Sequence, residues 1–193
     1  VTTLEDLVAM LEGLGRRPSC EGAGLTELDH LLQCAHELTA TAPDDVGLQL
    51  AGLVHDVGHV LGPDAAHGTL GAAFVRPVLG DRVATLVADH VPAKRYLVAV
   101  VPEYRAGLSP DSVRTLELQG GPMTPDEVAR FRRTADADAA VLLRRADDAA
   151  KVPGRVVPGL DHWLEVLAGG AAAVSEGIGA TDSVAGVDRE RRA

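Results

Sequence analysis

Four histidines and two aspartates, His30, His55, Asp56, His67, His90 and Asp147, are scattered through a chain otherwise rich in Ala, Leu and Val. Imidazole and carboxylate together form the donor set of iron, manganese and zinc sites, whose open positions take water, dioxygen or substrate. The set is large enough for two metal ions. His55 and Asp56 are adjacent, so a carboxylate beside a ligating imidazole can turn its second oxygen towards a neighbouring metal. His59 follows His55 by one helical turn. Any one of these residues alone would pass as a satisfied core or surface group. It is their number and order that point to metal chemistry.

The elements that must carry them read as helices. Apolar residues recur at helical spacing over Leu4–Leu14, with Thr3 as N-cap, and again from Thr26 through Leu38, while strand-like alternation is absent. Further helices are expected around Val46–His55, His67–Leu79, Asp81–Asp89 and Ala93–Val101, punctuated by Gly, Pro or Asp. In Thr124-Pro125-Asp126-Glu127 the Thr can cap, Pro suits the first helical position and Glu completes a capping box, which predicts a helix from Thr124 to about Thr134. Asp136–Lys151 should be another helix, carrying Asp147, and Gly159–Leu167 a short last one. Residues 1–168 then form a single domain. From Gly169 the sequence is Gly, Ala, Ser and charge without periodicity, so 169–193 is expected to be a mobile tail. The donors would come from several of these helices, assembled by tertiary packing as in the metal sites of helical bundles.

Composition limits what the site can serve. A chain of 193 residues that is 46% hydrophobic can bury one good core. Its net charge of −10 and its two lysines, Lys94 and Lys151, argue against nonspecific nucleic-acid binding and against an anionic membrane surface. A small anionic substrate would need a local cationic pocket. No apolar run reaches a membrane span of roughly 18–20 residues and no basic-then-apolar leader opens the chain, so a cytoplasmic protein is expected. Cys20 and Cys34 are too few and wrongly spaced for a thiolate zinc site.

The order His, His-Asp, Asp resembles that of the HD-domain superfamily, and two additional histidines between the pair and the last Asp resemble its dinuclear form. Members with such ligands include phosphohydrolases and phosphodiesterases, where the metals activate water, and a smaller group of diiron oxygenases. The ligands alone leave both open. A noncatalytic HD module is disfavoured because no ligand is missing. More specific are His90-Val91-Pro92-Ala93-Lys94-Arg95-Tyr96-Leu97, Pro102-Glu103-Tyr104, Leu108-Ser109, Ser112, Thr115-Leu116, Gln119-Gly120-Gly121 and Met123. This stretch resembles the HD-domain mixed-valent diiron oxygenases of organophosphonate catabolism, which include enzymes for 2-amino-1-hydroxyethylphosphonate and for its N-trimethylated relative. The resemblance runs from about Leu25 to about Lys151.

It implies an all-α HD-domain bundle with a dinuclear site at its centre. The implied reaction cleaves the carbon–phosphorus bond of a 1-hydroxyalkylphosphonate with O2 at an Fe(II)/Fe(III) pair, giving a carboxylate and phosphate. One iron would be held by His30, His55, Asp56 and Asp147, the other by Asp56, His67 and His90, with Asp56 bridging. The phosphonate-binding groups fall on His59, Lys94, Ser112, Thr115 and Arg144, a donor set that suits a phosphonate dianion. Arg145 is the neighbour from which Arg144 must be told apart. The family also carries a Tyr and a Glu in the loop before its first His ligand, but this chain has no tyrosine before Tyr96. Cys20 and Glu21 stand in that loop as the candidate replacements and as a possible specificity loop. A substrate whose far end differs from a plain amine is therefore expected. Pro92, directly after the His90-Val91 pair, must be absorbed by a helix start or a kink.

Overall fold

The computed structural model describes residues 1–19 and 24–190, with side chains through residue 176. Its α-helices are α1 (Leu4–Leu14), α2 (Glu27–Thr41), α3 (Val46–Val54), α4 (His67–Val100), α5 (Pro110–Leu118), α6 (Pro125–Phe131), α7 (Ala137–Ala149) and α8 (Leu160–Glu190). Short 3-10 turns occupy Val57–Val60, Asp64–Ala66 and Tyr104–Gly107. The only β contact among the described residues is the isolated bridge between Pro18 and Thr26. No described helix is long and apolar enough to cross a membrane.

Local chemistry starts the helices where the sequence implied. Thr3, Thr26 and Thr124 each accept from the backbone N–H three residues on, and Asp6, Asp29 and Glu127 reach back to the cap N–H. Each reciprocal pair satisfies two donors that a helix N-terminus would otherwise leave bare. The box at Thr26 matters most, because it sets the register of α2 four residues ahead of His30. Helix α1 lays Leu7, Leu11 and Leu14 into the core, and each fully buried Leu contributes roughly 1.5–3 kcal/mol.

Helices α2, α3, α4 and α7 enclose the centre. Gly52 lets α3 close on α2, since a Cβ there would come within 2.6 Å of Leu38 Cδ1 and 3.2 Å of Ala35 Cα. Gly58 has a stricter reason to be glycine: a Cβ would sit 1.9 Å from the carbonyl oxygen of His67. The turn after Asp56 is thereby pressed against the first residue of α4. On the far side of the centre, Gln33 Nε2 donates to Val152 O (2.9 Å) and Val152 N–H donates to Gln33 Oε1 (3.2 Å). This tie lashes α2 to the segment after α7.

Two boundaries differ from expectation. Asp81–Asp89 and Ala93–Val101 are one continuous stretch of α4, with Pro92 inside it. The break expected between Leu79 and Asp81 does occur, at Gly80, whose φ of 80° and ψ of 178° leave the helical region. Gly can adopt that conformation without Cβ strain. The last helix does not stop at Leu167 but runs on to Glu190. Ala171–Ala173 favour helix without amphipathic periodicity, and Gly170 is packed so closely that a Cβ would meet Leu50 Cδ1 at 2.7 Å. Residues 169 and 170 thus continue a docked helix.

The segments Ala93-Lys94-Arg95-Tyr96-Leu97 and Gln119-Gly120-Gly121 hold each other. Arg95 Nε donates to Gly121 O (2.8 Å), Arg95 Nη2 pairs with Glu127 (2.9 Å), and Met123 N–H donates to Arg95 O (3.2 Å). Gly120 and Gly121 both take positive φ, 96° and 71°, the left-handed region that glycine occupies cheaply. Arg95 therefore fixes the end of α5 while its neighbour Lys94 points the other way, into the core.

Candidate metal centre and anion pocket

His30 is presented by α2, His55 and Asp56 by the end of α3, and His67 and His90 by the two halves of α4. Asp147 comes from the last turn of α7. Each histidine spends one nitrogen on the backbone. Nδ1 lies 2.8 Å from Ala150 O in His30 and 2.9 Å from Gly52 O in His55. It lies 2.6 Å from Asp64 O in His67 and 2.6 Å from Val87 O in His90. A carbonyl can only accept, so Nδ1 carries the hydrogen in all four. When neutral, each ring then turns its Nε2 lone pair inward, the arrangement by which outer partners orient metal-ligating imidazoles.

Asp56 stands between the inward nitrogens. Its Oδ2 is 3.5 Å from His30 Nε2 and 3.3 Å from His55 Nε2, while its Oδ1 is 3.5 Å from both His67 Nε2 and His90 Nε2. Asp147 Oδ1 joins the first group, 3.3 Å from His30 Nε2 and 3.9 Å from His55 Nε2. The donors therefore fall into two groups able to hold a metal ion, His30 with His55 and Asp56, and Asp56 with His67 and His90.

Two features show that these donors fit cations. His55 Nε2 is buried with no hydrogen-bond partner, a costly condition for a polar atom. The Nε2 atoms of His67 and His90 lie 2.8 Å apart, so with both Nδ1 atoms protonated two lone pairs confront one another. A cation in the first group satisfies His55, and one shared by His67 and His90 removes their confrontation.

Charge divides the centre likewise. Burial opposes a charge on His30, but the hydrogen bonds it donates to Asp147 and Asp56 more than offset this and hold its pKa up at about 10. Burial, then the neighbouring His67, pushes His90 well below the usual imidazole range. Burial also opposes the charge of Asp56, which His55 and the hydrogen bonds of His30 and His55 nevertheless hold well below the usual carboxylate range.

Beside the centre lies an inner cavity of about 30 Å³ whose walls are entirely polar. Lys94 Nζ donates to Thr115 Oγ1 (2.8 Å), and Arg144 Nη2 to Ser112 Oγ (3.3 Å). Lys94, Ser112, Thr115 and Arg144 are all buried. Arg144 also pairs with Asp147 Oδ2 at 2.6 Å, bonds Asp148, and donates through Nε to Tyr104 Oη at 3.0 Å. Arg145 is exposed, so burial separates the two arginines as the sequence could not. His59 is half-buried, stacked on His67 with ring centroids 4.0 Å apart, and its Nδ1 is 3.1 Å from Asp64 Oδ1. All five expected pocket residues line the cavity.

Lys151 lines it too, and sequence reasoning did not assign it there. The signal was present: Lys151 follows Asp147 by the same four residues that separate Lys94 from His90. Beyond His59 the space opens into an outer cavity of about 230 Å³, walled by Arg17, Ser19, Glu27, Asp64, Asp111 and Arg114 among others. Burial, then Asp56, raises the Glu27 carboxyl. Cys20 and Glu21 lie outside the described residues, and Ser19, just before them, is part of this outer wall.

An all-helical bundle with histidines and an HD pair at its centre defines a class, and residues 28–148 match the HD domain family; the chain belongs to that family. Within it the similarity is to oxygenases. Hydroxymethylphosphonate dioxygenase of Gimesia maris is 43% identical over 150 residues, covering 72% of this chain and 74% of the relative. The glycine-betaine-forming [1-hydroxy-2-(trimethylamino)ethyl]phosphonate dioxygenase of Leisingera caerulea is 32% identical over 153 residues, covering 74% of this chain and 76% of the relative.

Proposed function

We propose that this chain is a metal-dependent HD-domain oxygenase that cleaves the carbon–phosphorus bond of a 1-hydroxyalkylphosphonate. The observation that carries the proposal is the junction of two sites, a two-group His/Asp centre opening directly on a small cavity walled by cations and hydroxyls. Relatives that oxidise hydroxyphosphonates favour this reading over a phosphohydrolase. His30, His55, Asp56 and Asp147 would hold one iron, and Asp56, His67 and His90 the other. An Fe(II)/Fe(III) pair there would supply dioxygen activation and the redox capacity of the reaction.

The chain's own residues do the rest. Lys94 and Arg144 neutralise the phosphonate, while Ser112, Thr115 and His59 hydrogen-bond its oxygens. That places the hydroxyl-bearing carbon towards Asp56 and the histidines. Burial of these groups strengthens each charge-assisted contact relative to water. Among the relatives' substrates hydroxymethylphosphonate fits best, because the inner cavity is small and has no apolar wall for a bulky cationic head. The reaction balances without an external reductant: hydroxymethylphosphonate and O2 give formate and phosphate, four electrons passing from substrate to O2.

The deciding experiment incubates iron-loaded protein with hydroxymethylphosphonate in an oxygen electrode and measures formate and phosphate. One O2 consumed per phosphate and per formate is expected. Phosphate released from a phosphate ester with no oxygen uptake, and none from the phosphonate, would assign hydrolysis instead.

A further inference from the structure

The two lysines of the chain occupy equivalent stations. Lys94 stands one helical turn after His90, and Lys151 the same distance after Asp147. Lys151 lies just past the end of α7, where a lysine commonly extends into solvent and interacts with the helix carbonyls. Its side chain instead turns back and is only 13% exposed. Nζ donates to Ser112 Oγ at 3.1 Å and lies 3.6 Å from Asp147 Oδ1. Ser112 therefore accepts from two cations, Lys151 on one side and Arg144 Nη2 (3.3 Å) on the other. A hydroxyl has two lone pairs and one hydrogen, so with both lone pairs taken its hydrogen remains to be given to an acceptor.

Lys94, Arg144 and Lys151 thus line one cavity of about 30 Å³. Asp147 and Asp148 pair with Arg144, and Asp147 also faces Lys151. Three cations around so small a polar space repel one another. A tetrahedral dianion relieves that repulsion and accepts from all three together with the Ser112 hydroxyl. Had Lys151 served only to neutralise Asp147, its ammonium would not also be bonded to Ser112 on the cavity wall.

We infer that Lys151 is a third cationic contact for the phosphonate, so that the pocket selects a doubly charged tetrahedral anion. The inference rests on the reading of this cavity as the phosphonate site, but its test does not need turnover. Inorganic phosphate and methylphosphonate, neither of which carries the carbon-bound hydroxyl of a 1-hydroxyalkylphosphonate, are titrated calorimetrically without oxygen into the metal-loaded full chain. The parent is compared with Lys151→Gln and Lys151→Arg, with metal content and thermal melting measured on each.

Lys151→Gln should bind both anions at least tenfold more weakly with metal content unchanged, and Lys151→Arg should recover affinity to within a few-fold of the parent. Parent-like affinity in Lys151→Gln overturns the inference. So does loss of metal in step with affinity, which would assign Lys151 to Asp147 alone. A Lys151→Gln chain that does not fold, with Lys151→Arg folded but no tighter than a tenfold loss, also overturns it. Lys151-dependent phosphate binding in a protein that oxidises no hydroxyphosphonate upholds the pocket and refutes the oxygenase reading.

Discussion

Asp56 faces His55 with one carboxylate oxygen and His67 with the other, at 3.3 Å and 3.5 Å. One side chain is thereby common to both donor groups. Two metal ions per chain are expected after loading, measured by elemental analysis. Asp56→Ala should lose both, whereas His67→Ala should lose one. An Asp56→Ala chain that retains two metals would refute a shared ligand.

Lys94 and Arg144 should separate by experiment although both line the anion pocket. Lys94→Ala removes a charge-assisted contact to substrate, expected to cost about 1.5–3 kcal/mol in binding, with metal content unchanged. Arg144→Ala should lose binding and part of the metal together, because Asp147 loses its 2.6 Å partner. The exposed Arg145→Ala is the control, within about 0.5 kcal/mol of parent stability. Metal loss in Lys94→Ala would make that residue structural.

Burial, then the adjacent Arg144, lowers Lys94 to about 8. Lysine is cationic below its pKa, so the contact is largely formed at pH 7 and fades as pH rises through about 8. The kcat/KM for a hydroxyphosphonate should fall on that alkaline limb, and Lys94→Arg should move the limb upward because guanidinium stays charged. An unchanged limb in Lys94→Arg would assign it to another group.

Gly58→Ala should be far worse than an ordinary glycine substitution. Its Cβ would meet the His67 carbonyl oxygen at 1.9 Å and carbon at 2.7 Å, and both are backbone atoms that can yield only by moving the start of α4. A loss of about 3 kcal/mol or more in denaturant unfolding is expected, with reduced metal uptake. Gly13→Ala in α1 meets nothing within 4 Å and should stabilise by about 0.4–1 kcal/mol. Equal effects of the two substitutions would contradict the packing described.

Substrate preference follows from the acids near the pocket. Asp64 and Asp111 are both tied to Arg114 at 2.8 Å, and burial favours the neutral form of Glu27. An ammonium group would have to compete with Arg114 for both aspartates. Turnover of hydroxymethylphosphonate should exceed that of 2-amino-1-hydroxyethylphosphonate, compared as kcat/KM. Equal efficiency on the amine would remove this basis for selectivity.

The donors were legible because few residue types can do the work and their order is distinctive. Helix starts at Thr3, Thr26 and Thr124 were legible because capping is local chemistry. What escaped depends on contacts distant in sequence. Only packing shows that Arg144 turns inward and Arg145 outward, or that Lys151 folds back onto Ser112. The continuity of α4 through Pro92 and of α8 past Leu167 escaped for a related reason: tertiary support outweighs the local breaker in one case and the missing periodicity in the other.

The tie between Gln33 and Val152 spans 119 positions, and that between His30 and Ala150 spans 120. Together they close most of the chain into a ring, with the donor groups at the clasp. Helix α7 cannot swing away to admit or release an ion while Gln33 holds Val152 at both its N–H and its carbonyl. Exchange of a bound metal should therefore take the route through the cavity and not past α7, and the slowest-exchanging amide protons of the protein should include those at the clasp.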